Sequence, residues 1–355
     1  MAVTRHLTNG NEVVDWVDEV NEVPNQYGWF NGSNLFEGKG VSTNTVLFDK
    51  NTRNNSMLPQ VNRVGGEAFH NKDRDVSTYS VALPYFLHTD YVTPDDIQGW
   101  RKAGTPDQAE DFASVMADKI EDMRFNADQS REYMKINAIK GDTVDPEGNT
   151  VVDMFTELGE TQKEIDFKLG TATTDIDGKI AEMKRYVAKN AKIGGAIGRT
   201  QAACSPEFFD AFVKHPNVKS AYQMYQNSGK QLLRDDLSMY ERWGIVDVFE
   251  HKGVTFFAYD ATFTQPDGTS VRAFGTTSTE YTKQVGYSII SGVRGLYRAY
   301  YGPTNTLTGA NSVGREMYLY QYRDPKDKYL ELELEMAPLY MMTKPLASVK
   351  LKTTT

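Results

Sequence analysis

Five histidines, one cysteine, a glycine-rich turn and a serine among small residues are the parts of this sequence that could do chemistry. His6, His70, His88, His215 and His251 are scattered, and none has the i, i+4 spacing of a helical metal pair or an HExxH zinc site. They read as surface or satisfied core histidines. Cys204 is alone, which excludes an intrachain disulfide and any multi-cysteine zinc or iron-sulfur centre. Before Ser205-Pro206 it could be a helix-start thiolate, although a buried inert thiol is the commoner case. Gly194, Gly195 and Gly198, ahead of Arg199-Thr200, imitate a phosphate loop without its G-x4-G-K-S/T spacing or its lysine, so a turn or hinge is the better reading. Ala310-Asn311-Ser312-Val313-Gly314 imitates a nucleophile elbow without the first glycine. A hydrolase using Ser312 with His251 would also need an oxyanion hole and an oriented imidazole. No catalytic, cofactor or metal site is assigned on these grounds.

What remains is placement rather than reactivity. The 355 residues suit two domains or one elaborate one. With 39% hydrophobic residues and 28 glycines, the chain is not disordered as a whole. Its 39 bases against 48 acids leave a net charge of −9, which argues against a protein whose main task is gripping phosphates. An acidic wall can still enclose nucleic acid without holding it. The first thirty residues lack the apolar core of a signal peptide, and no run approaches the ~18 apolar residues of a membrane span. A soluble protein made in a reducing cytoplasm is expected.

Residues 1–45 form an acidic, Asn- and Gly-rich arm whose few aromatics cannot build a core alone, so it is either disordered or laid along another surface. A strand-like run at Val46-Leu47-Phe48 and an alternating one from Tyr79 to Leu87 flank a polar stretch, Lys50 to Ser77, too long for an ordinary connection. A projecting hairpin is predicted, with more bases than acids. Next, Thr105, Pro106 and Gln108 form a capping signal, Gly141 a stop, and apolar residues from Ala109 to Ala138 recur at helical steps. This predicts one long amphipathic helix over Thr105 to Lys140 with an acidic exposed side that includes Asp118, Glu121, Asp122, Asp128 and Glu132. A hairpin over 143–155, a strand at Ile165 to Leu169, a helix over 177–192, a helix after Ser205-Pro206 and strands at 244–249, 254–259 and 270–275 follow. The alternation Leu330-Glu331-Leu332-Glu333-Leu334-Glu335-Met336 predicts a strand with one buried and one charged face. Long excursions that their own chain cannot bury favour an interlocking structural subunit.

The segment order carries a resemblance. Its matching stretches are Val81-Ala82-Leu83-Pro84-Tyr85 through Asp95-Asp96-Ile97-Gln98-Gly99-Trp100-Arg101-Lys102-Ala103-Gly104, and Ser130-Arg131-Glu132-Tyr133-Met134-Lys135 with Ala138-Ile139-Lys140-Gly141. Gly253-Val254-Thr255-Phe256-Phe257-Ala258-Tyr259-Asp260, Ala337-Pro338-Leu339 and Lys344-Pro345 complete it. Over residues 80–351 the chain resembles the lambda-type major capsid protein E family of tailed phages. The resemblance implies an α+β, Hong Kong 97-type fold: an N-terminal arm (1–45), an extended loop (46–98) lying over a neighbour, a peripheral domain (99–170 and 321–355) built on the long helix, and an axial domain (171–320). Residues 143–170 and the final strand would form the peripheral sheet. It implies pentamers and hexamers closing an icosahedral shell around double-stranded DNA, with scaffold, portal and protease during assembly and often a decorating cement protein. That means a virion component assembled in a bacterial host's cytoplasm, with no enzymatic activity, cofactor or membrane. In such a shell Arg53, Arg63, Lys72 and Arg74 would dock on a neighbour's Asp118, Glu121 and Asp122, with Phe48, Leu47, Met57 and Leu58 adding apolar contact. The competing readings are a tail-tube or other phage structural protein, which should lack the long helix, and the Ser312 hydrolase.

Overall fold

The computed structural model describes residues 28–52, 75–98, 111–190, 198–227, 243, 245, 247–275 and 284–354. A helical turn, α1 (Trp29–Gly32), and a short strand, β1 (Glu37–Gly40), lead into the hairpin β2 (Thr45–Thr52) and β3 (Asp75–Ala82), then β4 (Phe86–Val92). The long helix α2 (Phe112–Lys140) precedes β5 (Asp142–Val144), β6 (Thr150–Asp153), α3 (Met154–Leu158), β7 (Lys163–Asp166) and α4 (Ile176–Asn190). Then come β8 (Thr200–Cys204), α5 (Pro206–Lys214), α6 (Pro216–Asn227), β9 (Val248–His251), β10 (Val254–Ala258), β11 (Thr262–Thr264), β12 (Ser270–Arg272), β13 (Val285–Ile290) and β14 (Tyr297–Tyr301). The chain ends through β15 (Tyr318–Arg323), β16 (Leu330–Met336), β17 (Pro338–Met342) and β18 (Val349–Lys352).

The long helix is present but starts later than its sequence pattern implies. Asp111 is extended (φ −119°, ψ 158°) and its carboxylate accepts the Ser114 N–H, so it is the N-cap. The Thr105 capping signal lies outside the described residues. The helix ends at Gly141, whose φ of 110° puts its N–H on the Asn137 and Ala138 carbonyls. At ~1.5 Å per residue, α2 is ~43 Å long. Its first half is amphipathic, with Met123 and Ala127 packing on Val92, Leu332, Leu334 and Met336. Its second half is not: every residue from Glu132 to Ile139 is buried, because α1, β5 and β17 enclose it. Glu132 therefore does not belong to the solvated acidic side.

Six strands, in the order β7-β18-β13-β8-β10-β9, make the central sheet. One face is covered by α5, where Ser205 accepts the Phe208 N–H, Pro206 fits the first turn, and Phe208, Phe209 and Phe212 are buried. Phe212 stacks on Phe256 with centroids 4.4 Å apart. Ile180, Met183 and Val187 supply the buried stripe of α4, as their spacing predicts, and Ile176 extends it one turn earlier. The peripheral sheet expected from 143–170 plus the final strand is not formed. Instead, among the described residues, β5 pairs with β6 alone, β16 lies between β15 and β4, and β7 and β18 join the central sheet beside β13 and β8. Met154 and Phe155, predicted as strand, open α3 because the Asp153 carboxylate accepts the Phe155 and Thr156 N–H groups.

Candidate assembly surfaces

The arm does not lie free over residues 28–40. Trp29 and Phe30 are buried in the core of their own chain, with Trp29 4.6 Å from the Phe257 ring and Phe30 edge-on to Tyr259. Gly28 precedes α1 and has no side chain to cap it. A carboxylate from a hundred residues away does that work: Glu132 Oε1 accepts Phe30 N–H at 2.9 Å and Tyr259 O–H at 2.6 Å, while Oε2 accepts Asn31 N–H at 2.7 Å. Burial pushes the Glu132 carboxyl up from its ordinary range, and these donors pull against that. Lys135 Nζ donates to Asn31 Oδ1 at 2.8 Å, and burial brings the ammonium down to about 8. Side chains at Gly28 and Gly32 would strike the Trp243 ring, at 2.7 and 2.3 Å. Sequence reasoning missed Glu132; the visible signal was the adjacent aromatic pair in an otherwise polar arm.

The hairpin rests on the body at its base and along one side. Val46 and Val81 pack with Val152, Met154, Leu339 and Met341, and half-buried Phe48 stands edge-on to Tyr300 at 5.6 Å. Leu47, on the other side, is 67% exposed. Lys50 Nζ donates to the Leu158 carbonyl at 2.7 Å. Arg53, Met57, Leu58, Arg63, Lys72 and Arg74 lie outside the described residues. Asp118, Glu121 and Asp122 are exposed on the first half of α2.

A second surface emerges from the strand β16. Its leucines face α2, so Glu331, Glu333 and Glu335 share the opposite side, flanked by Tyr322, Tyr320 and Tyr318 of β15 and by Tyr91, Thr89 and Leu87 of β4. The three β15 tyrosines stack at 6.3 and 6.2 Å. Tyr91, Leu87, Tyr322 and the neighbouring Tyr85 and Tyr329 are exposed. Glu335 is buried and accepts from Thr304 O–H at 2.5 Å and Asn305 N–H at 3.0 Å; Glu331 and Glu333 are half-buried. Partial burial and the neighbouring Glu335 and Glu331 push the Glu333 carboxyl up. Burial, then Glu335, pushes the Tyr85 phenol up to about 12. No lysine or arginine among the described residues pairs with these glutamates. The period-two tyrosines from 318 to 322 opposite the glutamate run were the signal for this face.

The groups that could do chemistry are engaged elsewhere. His251 Nε2 lies 2.7 Å from Asp177 Oδ1, and Ser312 Oγ donates to the Gly309 carbonyl at 2.7 Å, so neither is aimed at the other. The Cys204 thiol is buried in β8, and burial raises its pKa. The glycines at 194 and 195 lie outside the described residues. Among the described residues no group of three His, Cys, Asp or Glu side chains could hold a metal, and no helix is long and apolar enough to cross a membrane.

Comparison with known proteins now bears on these surfaces. The chain is 27% identical to a major capsid protein of Salmonella phage Felix O1, over 96% of each chain, and 27% identical to one of Pseudomonas phage KPP10, over 97% of each. The solved capsid asymmetric unit of cyanophage Pam1 superposes with a TM-score of 0.57, covering 98% of this chain and 97% of that one at 8% identity, which bears out the Hong Kong 97-type fold. The family model described as phage major capsid protein E matches residues 13–353, through the buried aromatic turn, the hairpin, the long helix and the central sheet, and the chain belongs to that family.

Proposed function

We infer that the chain is the major capsid protein of a tailed phage and builds the icosahedral head shell from pentamers and hexamers of itself. The observation that carries this reading is coverage. The family match runs from residue 13 to residue 353, so the buried aromatic turn, hairpin, helix and sheets all belong to one architecture. Closed shells seen by negative-stain microscopy of the purified, co-expressed assembly are the expected result. Open tubes, or subunits that never assemble, would overturn it.

Finer readings rest on the same inference. Residues 99–170 and 321–355 act as the peripheral domain and 171–320 as the axial domain, joined where β7 and β18 enter a sheet with β8 and β13. The hairpin bases Arg53, Arg63, Lys72 and Arg74 dock on acidic surface of a neighbour; rim pairs of this kind contribute about 0.2–1 kcal/mol each, so stability comes from repetition around the shell. The chain is a structural protein rather than an enzyme, and it works in the virion after assembly in the host cytoplasm with scaffold, portal and, in decorated heads, a cement protein. Its net charge of −9 suits a wall that encloses double-stranded DNA without gripping it.

A further inference from the structure

The face formed by β15, β16 and β4 is the strongest unexplained surface of the molecule. One side of this sheet is closed by α2. The other side carries two accessible carboxylates, Glu331 and Glu333, between a stack of tyrosines and the exposed Tyr91 and Leu87. Like charges two residues apart on a strand repel, and here no cation among the described residues relieves them. Aromatic rings beside carboxylates suit a guanidinium, which can stack on a ring face while its N–H groups reach an acid. The ligand this chemistry calls for is an extended segment with cations at every second residue, about 6.8 Å apart, matching the spacing of Glu331 and Glu333 along β16.

The chain itself contains such a segment. Lys72-Asp73-Arg74 immediately precedes β3, and in extended form it puts both bases on one side and Asp73 on the other. Its own copy of the face is badly placed to receive it. β16 and β17 follow one another almost without interruption; the face occupies the β16 half, while the described hairpin packs against Tyr300, Leu339 and Met341 at the β17 half and runs on to Leu158. Glu331 and Tyr340 are nine residues apart on this ribbon, about 30 Å in extended strand. The acids of α2 are the weaker receptor, since they follow a helical spacing rather than the two-residue repeat of the bases. We propose that Lys72 and Arg74 of one copy seat on Glu331 and Glu333 of a second copy, with the Arg74 guanidinium against the tyrosine stack. This rests on the shell reading and identifies which acidic surface receives the hairpin.

Cysteines at both ends of the contact test it directly, because Cys204 is buried and does not compete. Shells carrying Arg74→Cys with Glu331→Cys should give dimers and longer ladders on a non-reducing denaturing gel. Only monomers, or a fast-migrating internally linked monomer, would overturn the docking. A charge exchange supplies the second arm. Glu331→Lys with Glu333→Lys, and separately Lys72→Glu with Arg74→Glu, should each lower shell yield at least about tenfold while subunits keep the melting temperature of the unmodified chain, and the four changes together should restore shells. Wild-type yield from either pair, or failure of the fourfold variant to recover although folded, would overturn it. So would shells in which the glutamate exchange releases a separate basic protein and leaves assembly intact. Absence of shells from the unmodified chain would instead remove the capsid reading itself.

Discussion

Glu132 gathers three elements around one carboxylate: α1 through two backbone N–H groups, β10's end through Tyr259, and its own helix through Lys135. Removing it leaves those buried donors without partners, a larger loss than the net worth of the bonds themselves. Glu132→Ala should destabilise the subunit by about 3 kcal/mol, and Tyr259→Phe by about 1–2 kcal/mol, in denaturant titrations of unassembled protein. Nothing local distinguishes Glu132 from the solvated acids before it on the same helix. Its role comes from a contact with residues 30 and 31, which a reading of helical periodicity does not see. Asp142 offers a pH test. Partial burial and the adjacent Asp153 push its carboxyl up to about 6 from 3.8, so between those values the folded chain holds a proton that the unfolded chain releases. The stabilisation is complete below the lower value and is lost as pH rises through the higher one. Asp142→Asn keeps a donor toward Asp153 without needing a proton, so it should flatten the melting-temperature profile across that window and melt higher at neutral pH. A steeper profile would refute the assignment.

Among the elements, legibility followed the regularity of the pattern. The alternation of β16 and the three- and four-residue steps of α2 are strong signals, and both elements are there. The start of α2 is less legible: Asp111 caps it at Phe112, inside a stretch whose apolar steps run on unbroken from Ala109, so the pattern does not mark the boundary. The central sheet was mostly hidden. β8 is five residues long and buried throughout, β7 and β18 have four residues each, and strands so short carry little periodicity. Two elements make stability predictions. Gly141→Ala must adopt a left-handed backbone and place its methyl 2.1 Å from the Phe155 ring, so a loss above about 2 kcal/mol is expected in thermal melts, with α2 fraying first by hydrogen exchange. Leu334→Ala opens a hole between β16 and α2, at a cost of about 2–5 kcal/mol by the same melts.

At the scale of the whole molecule, the family and the fold class can be read from segment order. The bases and the helix acids can be recognised by type and spacing, whereas the face around Glu331 and Glu333 needs the sheet pairing of β15, β16 and β4, which cannot be seen before the fold is known. Replacing Arg53, Arg63, Lys72 and Arg74 together with Glu should block shell formation and leave a folded subunit by circular dichroism; normal particles would exclude hairpin docking of any register. Isolated subunits should not retard double-stranded DNA at physiological salt, and retention there would contradict a wall that faces DNA without gripping it. The position of β18 has a further consequence. Residues 349–352 sit between β7 and β13, in the interior of the central sheet. A nascent chain still on the ribosome, or one cut short before this strand, has a sheet split in two with β7 unsupported. A chain ending before residue 349 should therefore be far less stable in thermal melts than the full one, although it lacks only the last few residues.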